Sequence, residues 1–188
     1  TIYTYNLQVF DPTWFHPKPV PLAAKLSAQM VEKDLPKLRF ASEGYLDFLS
    51  LGGEIRMRDL SRNLIREHLN SSIPILTGLS ATYLYGSKRE ISNAHGQSIF
   101  DDMRGKPMGH FVVLSGMEGK TVFVADPYQG NPFSKDGHYP VHVGRLINSI
   151  MLGIVTYDAN MLILSPERLP EPVSKVRPKF ASNSARSV

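Results

Sequence analysis

The order of the expected elements in this 188-residue chain indicates an α+β fold, with helices packed on an antiparallel sheet. Patterns with helical spacing dominate the first half, and short runs of β-branched and aromatic residues dominate the second half. Two of these runs, residues 110–116 and 121–125, flank a short glycine-containing turn, which is typical of a β-hairpin. Because the two kinds of element are grouped and do not alternate, we expect segregated layers and not a parallel α/β fold.

Helices are expected where apolar residues recur every three or four positions. The clearest stripe contains Leu22, Leu26 and Met30, behind a proline that suits the first turn of a helix. Another stripe follows a polar cap at Asp59 or Ser61. The expected helices cover residues 22–35, 42–49, 60–69 and 143–151, and the expected strands cover residues 2–10, 54–57, 73–79, 110–116, 121–125 and 160–164.

The composition excludes several classes of function. The chain has no cysteine, which excludes disulfides, thiolate metal sites and thiol catalysis by these residues alone. It has no run of about 18 apolar residues, so no membrane span is expected. The net charge is +4 and much of the excess follows Ser165, so no basic face for nucleic acid is expected. We expect no metal, no cofactor and no nucleic-acid partner, and a cytoplasmic location.

One domain is expected over residues 1–166, followed over residues 167–188 by a tail rich in Pro, Ser and basic residues. The polar stretch over residues 87–107 has weak periodicity and is expected to form an excursion or a lid. The first residue is Thr1, not methionine, and it enters a strand pattern directly. We therefore expect that sequence preceding it has been removed, by processing or by the experimenter.

A histidine and an aspartate are predicted to meet at one rim of the sheet. His110 begins the first strand of the hairpin, and Asp126 follows the end of the second. The start of one strand lies beside the end of the next in a tight antiparallel hairpin, so the two side chains should approach each other. The carboxylate can then accept a hydrogen bond from one imidazole nitrogen and leave the other nitrogen as a base. This spacing alone leaves a purely structural pair open, because catalysis also needs a nucleophile.

Residues 109–114 and 122–130 resemble the His and Asp motifs of the papain-like cysteine peptidases that process bacteriocin leaders at double-glycine sites. The similarity is greatest to bacterial peptidase-like members of that family. Residues 59–79, the Tyr-Leu-Tyr-Gly stretch that begins at Tyr83, and residues 160–166 also fit the resemblance. It covers the chain from Ile2 to Pro166.

The resemblance implies a papain-like cysteine peptidase fold, incomplete at its N-terminus, that hydrolyses peptide or isopeptide bonds. It implies His110 as the general base, Asp126 as the group that orients it, and a peptide substrate or leader peptide as the partner. We expect Gly109, Tyr83 and Tyr128 to contact that peptide. The nucleophilic cysteine and the oxyanion-hole glutamine of the family do not carry over, since they precede the segment that matches this chain. The chain as given should therefore be inactive alone, with one sheet face lacking its central helix.

Other interpretations remain open. Family members without the cysteine can serve as leader-peptide or substrate-binding modules, and an accessory subunit of a peptide-modifying system is a further alternative. His138 and His142 share parity and could form a metal site with His110 and Asp126, although Pro140 between them argues for two surface histidines. Of the remaining histidines, His68 is expected at the surface, like His16.

Overall fold

The computed structural model describes residues 1–92, 95 and 97–165, and it confirms an α+β architecture. In chain order the described strands are β1 (Ile2–Thr4), β2 (Ile55–Arg56), β3 (Ile75–Ser80), β4 (Glu90–Ser92), β5 (Ser98–Phe100), β6 (Gly109–Glu118), β7 (Thr121–Ala125), β8 (His138–His142) and β9 (Asn160–Ile163). The described α-helices are α1 (Leu22–Glu32), α2 (Pro36–Ser50), α3 (Arg62–Asn70), α4 (Ala81–Tyr85) and α5 (Val143–Leu152). The expected tail over residues 167–188 lies outside the described residues.

Seven of the strands form one sheet in the order β2-β1-β9-β3-β6-β7-β8. Every neighbouring pair is antiparallel except β1 and β2, which are parallel. The expected antiparallel sheet is therefore confirmed apart from this one edge. Strands β4 and β5 form a separate two-stranded ribbon inside the polar excursion. No helix in the described ranges is long and apolar enough to cross a bilayer.

Burial alternates along the central hairpin, as a half-covered sheet requires. On β6 and β7 the side chains of Val112, Leu114, Val122 and Val124 are buried. They share one core with apolar residues of α3 and α5, so these two helices cover one face of the sheet. On the opposite face, Phe111 is half exposed.

A second core forms where the first two helices meet the segment after β1. Phe10 is fully buried there, and its ring packs edge-on against Tyr45 at a centroid distance of 4.7 Å. Leu26 of α1 and Leu38 of α2 complete the centre of this core. Helix α2 is longer than the sequence predicted, because Pro36 occupies its first position, where its missing N–H needs no partner.

The observed strands differ from the expected ones at two places. The expected strand over residues 2–10 stops at Thr4, because Asn6 turns the chain: its side-chain oxygen accepts the N–H of Gln8, and its carbonyl accepts the N–H of Phe10. Conversely, residues 138–142 form β8 in spite of Pro140. Proline is tolerated there because β8 pairs only with β7 and lies at the edge of the sheet.

Local capping explains two further helix boundaries. Helix α3 begins after Ser61, whose hydroxyl accepts the N–H of Leu64, so the cap is Ser61 and not Asp59. The short helix α4 was not expected from periodicity. It begins after Ser80, which accepts the N–H of Tyr83, and it ends at Gly86, whose φ of 67° is accessible to glycine without strain.

Candidate functional site

The β6–β7 hairpin brings the predicted pair together. Val113 lies opposite Ala125, so His110 and Asp126 are diagonal neighbours on the same face of the sheet. Nε2 of His110 lies 2.8 Å from Oδ1 of Asp126. The predicted contact is confirmed.

Asp126 is buried, and four groups from different parts of the chain hydrogen-bond to its carboxylate. His110 and the backbone N–H of Tyr128, at 2.9 Å, both contact Oδ1. The hydroxyls of Tyr85 on α4 and Tyr139 on β8 donate to Oδ2 at 2.6 and 2.5 Å. The acceptor capacity of the carboxylate is thus filled, which fixes its orientation.

These contacts also set the protonation of the cluster. Burial alone would raise the pKa of Asp126, but the hydrogen bonds from Tyr139, Tyr85, His110 and the Tyr128 backbone together hold that pKa below its usual value. Burial, followed by the hydrogen bond to Asp126, raises the pKa of both tyrosine hydroxyls above the ordinary range. The tyrosines therefore remain donors, and Asp126 remains an ionised acceptor at neutral pH.

The imidazole of His110 keeps access to solvent on one side. Its side chain is 21% exposed, and aromatic rings flank it, with centroids at 6.1 Å for Tyr85 and 6.2 Å for Tyr128. Because Asp126 is ionised, Nε2 carries the proton of the neutral ring and donates it to Oδ1. Nδ1 has no hydrogen-bond partner among the residues that the structure describes, so it is the nitrogen left to act as a base.

A second carboxylate lies next to the start of β6. A Cβ atom on Gly109 would overlap Oδ2 of Asp158, and one on Gly78 would overlap the backbone oxygen of Asp158. Glycine at both positions makes room for the turn that precedes β9. Burial raises the pKa of Asp158, against the opposing effects of a hydrogen bond from Thr156 and of electrostatic interactions with nearby His110 and Lys37.

The two tyrosines expected to contact a peptide lie in different surroundings. Tyr128 is half exposed and packs beside His110, so it lies at the site. Tyr83 faces α5 instead: the guanidinium of Arg145 lies 5.4 Å from its ring centroid, and the amide of Asn148 donates to its hydroxyl at 3.4 Å. No described contact joins Tyr83 to the His110 pair.

Sequence reasoning missed Tyr85, Tyr139 and Asp158. The signal for Tyr85 was weak, because α4 is a single short helix whose existence depends on its caps. Tyr139 alternates with exposed neighbours on β8, a pattern that the presence of Pro140 obscured. Asp158 could not be placed without the sheet order, since β9 reaches β6 only through β3.

The alternative metal site is not assembled. His138 and His142 are exposed on β8, whereas Asp126 is buried on the other face. Within the described residues, no three His, Cys, Asp or Glu side chains gather closely enough to hold a metal ion.

An apolar groove of about 920 Å³ lies between α2 and the turn that precedes β9. Its walls include Ile2, Phe40, Tyr45 and Phe48, and Asp158 lines it as well. Since the carboxylate of Asp158 also touches Gly109, the groove reaches the neighbourhood of His110.

Comparison with known proteins gives one partial similarity to report. No protein-family model and no curated protein sequence matches the chain. A solved structure of a Bacillus anthracis protein proposed to be a C39-like peptidase matches it with 17% sequence identity and a TM-score of 0.33. The match covers 57% of this chain and 49% of that protein, so the chain spans about half the length of the structure it matches.

Proposed function

We propose that this chain carries the base and the orienting acid of a cysteine-peptidase-type site that hydrolyses peptide or isopeptide bonds. The observation that carries the proposal is the geometry of Asp126, whose carboxylate is held by four donors and contacts Nε2 of His110. The 188 residues contain no cysteine, so the nucleophilic thiol is supplied from outside them. The papain-like fold over residues 1–166 is part of the same proposal.

The chemistry follows from the free nitrogen of the ring. Nδ1 of His110 takes the proton of a thiol, and the thiolate attacks the carbonyl carbon of the peptide. The imidazolium, stabilised by Asp126, then gives this proton to the leaving amine as the carbon–nitrogen bond breaks. A water molecule, deprotonated by the same ring, releases the acyl group from sulfur. Tyr128 and Gly109 border the position where the peptide would lie.

The test is hydrolysis of fluorogenic peptides by the chain expressed with any sequence that its gene encodes ahead of Thr1. We expect iodoacetamide to abolish the activity and His110→Gln to lower kcat/KM by about 10²–10⁴-fold, the usual contribution of a general base. Asp126→Asn should cause a comparable loss, because the amide favours the wrong tautomer of the ring.

His138→Gln is the matched control, since it removes an exposed histidine from β8 and should leave the activity unchanged. The 188-residue chain alone should be inactive. Hydrolysis that persists in the His110→Gln variant, or that resists the alkylating agent, would refute the proposal.

The groove beside Asp158 favours a second candidate, a non-catalytic module that binds an extended peptide or leader peptide. Its apolar walls and a volume of about 920 Å³ suit apolar side chains of such a ligand. In that case the chain as given should bind peptides, and Phe48→Ser in the groove should weaken binding while His110→Gln does not. Failure of fluorescein-labelled double-glycine leader peptides to bind would exclude this candidate.

A further inference from the structure

We propose that Tyr85 and Tyr139 are positioning residues of the His110 site: together they clamp Oδ2 of Asp126 so that Oδ1 faces the imidazole. For its catalytic meaning this inference rests on the proposed function, but the clamp itself is a property of the described chain. Neither tyrosine belongs to the His and Asp motifs, and neither touches the ring nitrogen that would act as the base.

The clamp joins three separate elements. Asp126 follows β7, Tyr85 ends α4 and Tyr139 lies on β8, so the two hydroxyls reach the carboxylate from elements on either side of the hairpin. Both donors contact the same oxygen, at 2.6 and 2.5 Å. The ring of Phe133 packs against both tyrosines, with centroid distances of 5.8 and 4.9 Å, and supports their orientation.

The division of donors between the two oxygens gives the clamp its effect. A carboxylate can rotate and present either oxygen to a histidine, and here Oδ2 is already filled by two hydroxyl donors. Oδ1 is left for the ring and for the backbone N–H of Tyr128. The groups that face Asp126 are thus His110 from β6, Tyr85 from α4, Tyr139 from β8 and Tyr128 from the loop, and only His110 can carry a positive charge.

Loss of the clamp should have two linked consequences. With fewer donors the ionised form of Asp126 is less stabilised, so the carboxyl group should take up a proton at a higher pH. The carboxylate should also rotate more freely, which weakens the preference of His110 for the tautomer with its proton on Nε2. A purely structural role for the tyrosines would change the stability but not the tautomer.

The test uses the 188-residue chain and three variants, Tyr85→Phe, Tyr139→Phe and the double variant, which keep the rings and remove the hydroxyls. The Asp126 carboxyl ¹³C signal and the His110 ring ¹⁵N signals are followed by NMR over pH 3–8. We expect each single variant to move the Asp126 titration to higher pH and the double variant to move it further. The double variant should also show a mixture of His110 tautomers near neutral pH.

Two control variants separate the clamp from the general loss of a hydroxyl. Tyr83→Phe removes a hydroxyl from the same helix, at a side chain that faces α5. Tyr45→Phe removes a largely buried hydroxyl that donates to Asn160 at 3.1 Å, in the other core. Both controls should leave the Asp126 titration and the His110 tautomer as they are in the parent chain.

Unchanged Asp126 and His110 signals in the folded single variants would overturn the inference, and so would equal effects of the control variants. If the double variant does not fold, the two single variants decide the outcome, because each of them retains one hydroxyl donor to Oδ2. In the active form of the protein, each single variant should lower kcat about tenfold with little change in KM. If the NMR changes occur but no peptidase activity is found, the proposed function fails and the clamp stands.

Discussion

At the scale of single residues, His68 shows how tertiary packing overrides an expectation based on helix position. It lies in the last turn of α3 and was expected at the surface, but only 4% of it is exposed. Its ring lies 5.6 Å from the ring of Tyr3, and its Nε2 has no hydrogen-bond partner in the described part of the chain. The surface prediction is wrong because the ring of Tyr3 on β1 packs against this histidine.

The burial of His68 predicts a pH dependence of stability. Burial, followed by the charges of nearby Arg58 and Arg56, lowers the pKa of His68 below its value near 6.5, in spite of the opposing charge of Glu67. His68 therefore binds a proton more tightly in the unfolded chain than in the folded chain. The free energy of unfolding should fall on acidification from about pH 7, by up to about 1.4 kcal/mol per pH unit.

Urea denaturation of the chain and of His68→Leu at pH 5.5 and 7.5 measures this effect. The free energy of unfolding of His68→Leu should differ less between the two pH values than that of the parent chain, whatever the absolute stability of the variant. His138→Gln, which removes an exposed histidine, should show the same difference in the free energy of unfolding as the parent chain. Equal pH dependence in the parent chain and in His68→Leu would contradict the prediction.

At the scale of elements, a β-bulge decides which face of the sheet His110 occupies. Near the turn Gly116 lies opposite Phe123, but beyond the bulge Leu114 lies opposite Val124, so Ser115 is the additional residue on β6. If the same residues paired regularly from the turn without a bulge, Val113 would lie opposite Asp126, and His110 would lie on the opposite face from Asp126. The predicted pair therefore depends on a feature that strand propensity does not reveal.

Deletion of Ser115 tests whether it is the residue that the bulge accommodates. We expect the shortened strand to pair regularly with Leu114 still opposite Val124, so Val112 and Leu114 should stay in the core and the free energy of unfolding should change by less than about 3 kcal/mol, the contribution of one large buried side chain. The NMR signature of the His110–Asp126 contact should remain. Ser115→Ala is the matched control, because the side chain is exposed and makes one hydrogen bond, to the carbonyl of Phe123 at 3.2 Å. A deletion variant that loses the His110–Asp126 contact would contradict the assignment of Ser115 as the additional residue.

At the scale of the whole molecule, the two faces of the large sheet differ in what covers them. Helices α3 and α5 cover the face that carries Val112 and Leu114. On the other face Phe111 is 51% exposed and Phe123 is 41% exposed, which leaves apolar surface available.

Matched substitutions on neighbouring residues of β6 test this difference between the faces. Val112→Thr places a hydroxyl in the core and should destabilise the chain by about 1–3 kcal/mol. Phe111→Thr should destabilise it by less than about 1 kcal/mol, since the ring is half exposed and threonine suits a strand. Thermal or urea denaturation measures both values. A larger loss for Phe111→Thr would show that the exposed face carries more of the stability than its burial indicates.

Local patterns were sufficient for much of the fold and for one contact of the site. Apolar spacing located α1, α3 and α5, and runs of β-branched residues located β3, β6, β7 and β9, because these preferences act within a few residues. The short turn between β6 and β7 was enough to predict that His110 and Asp126 lie at the same rim of the sheet, whereas the bulge decides that they share a face.

The remainder of the site depends on contacts between residues far apart in the chain. The hydroxyls of Tyr85 and Tyr139 contact Asp126 because α4 is capped in place and β8 forms the sheet edge beside β7. Asp158 lies beside Gly109 because β9 pairs with β3. The amino-acid order thus specifies which groups are able to react and roughly where the strands begin and end. The face on which His110 lies and the donors that hold Asp126 follow from sheet register and packing, which are properties of the folded chain as a whole.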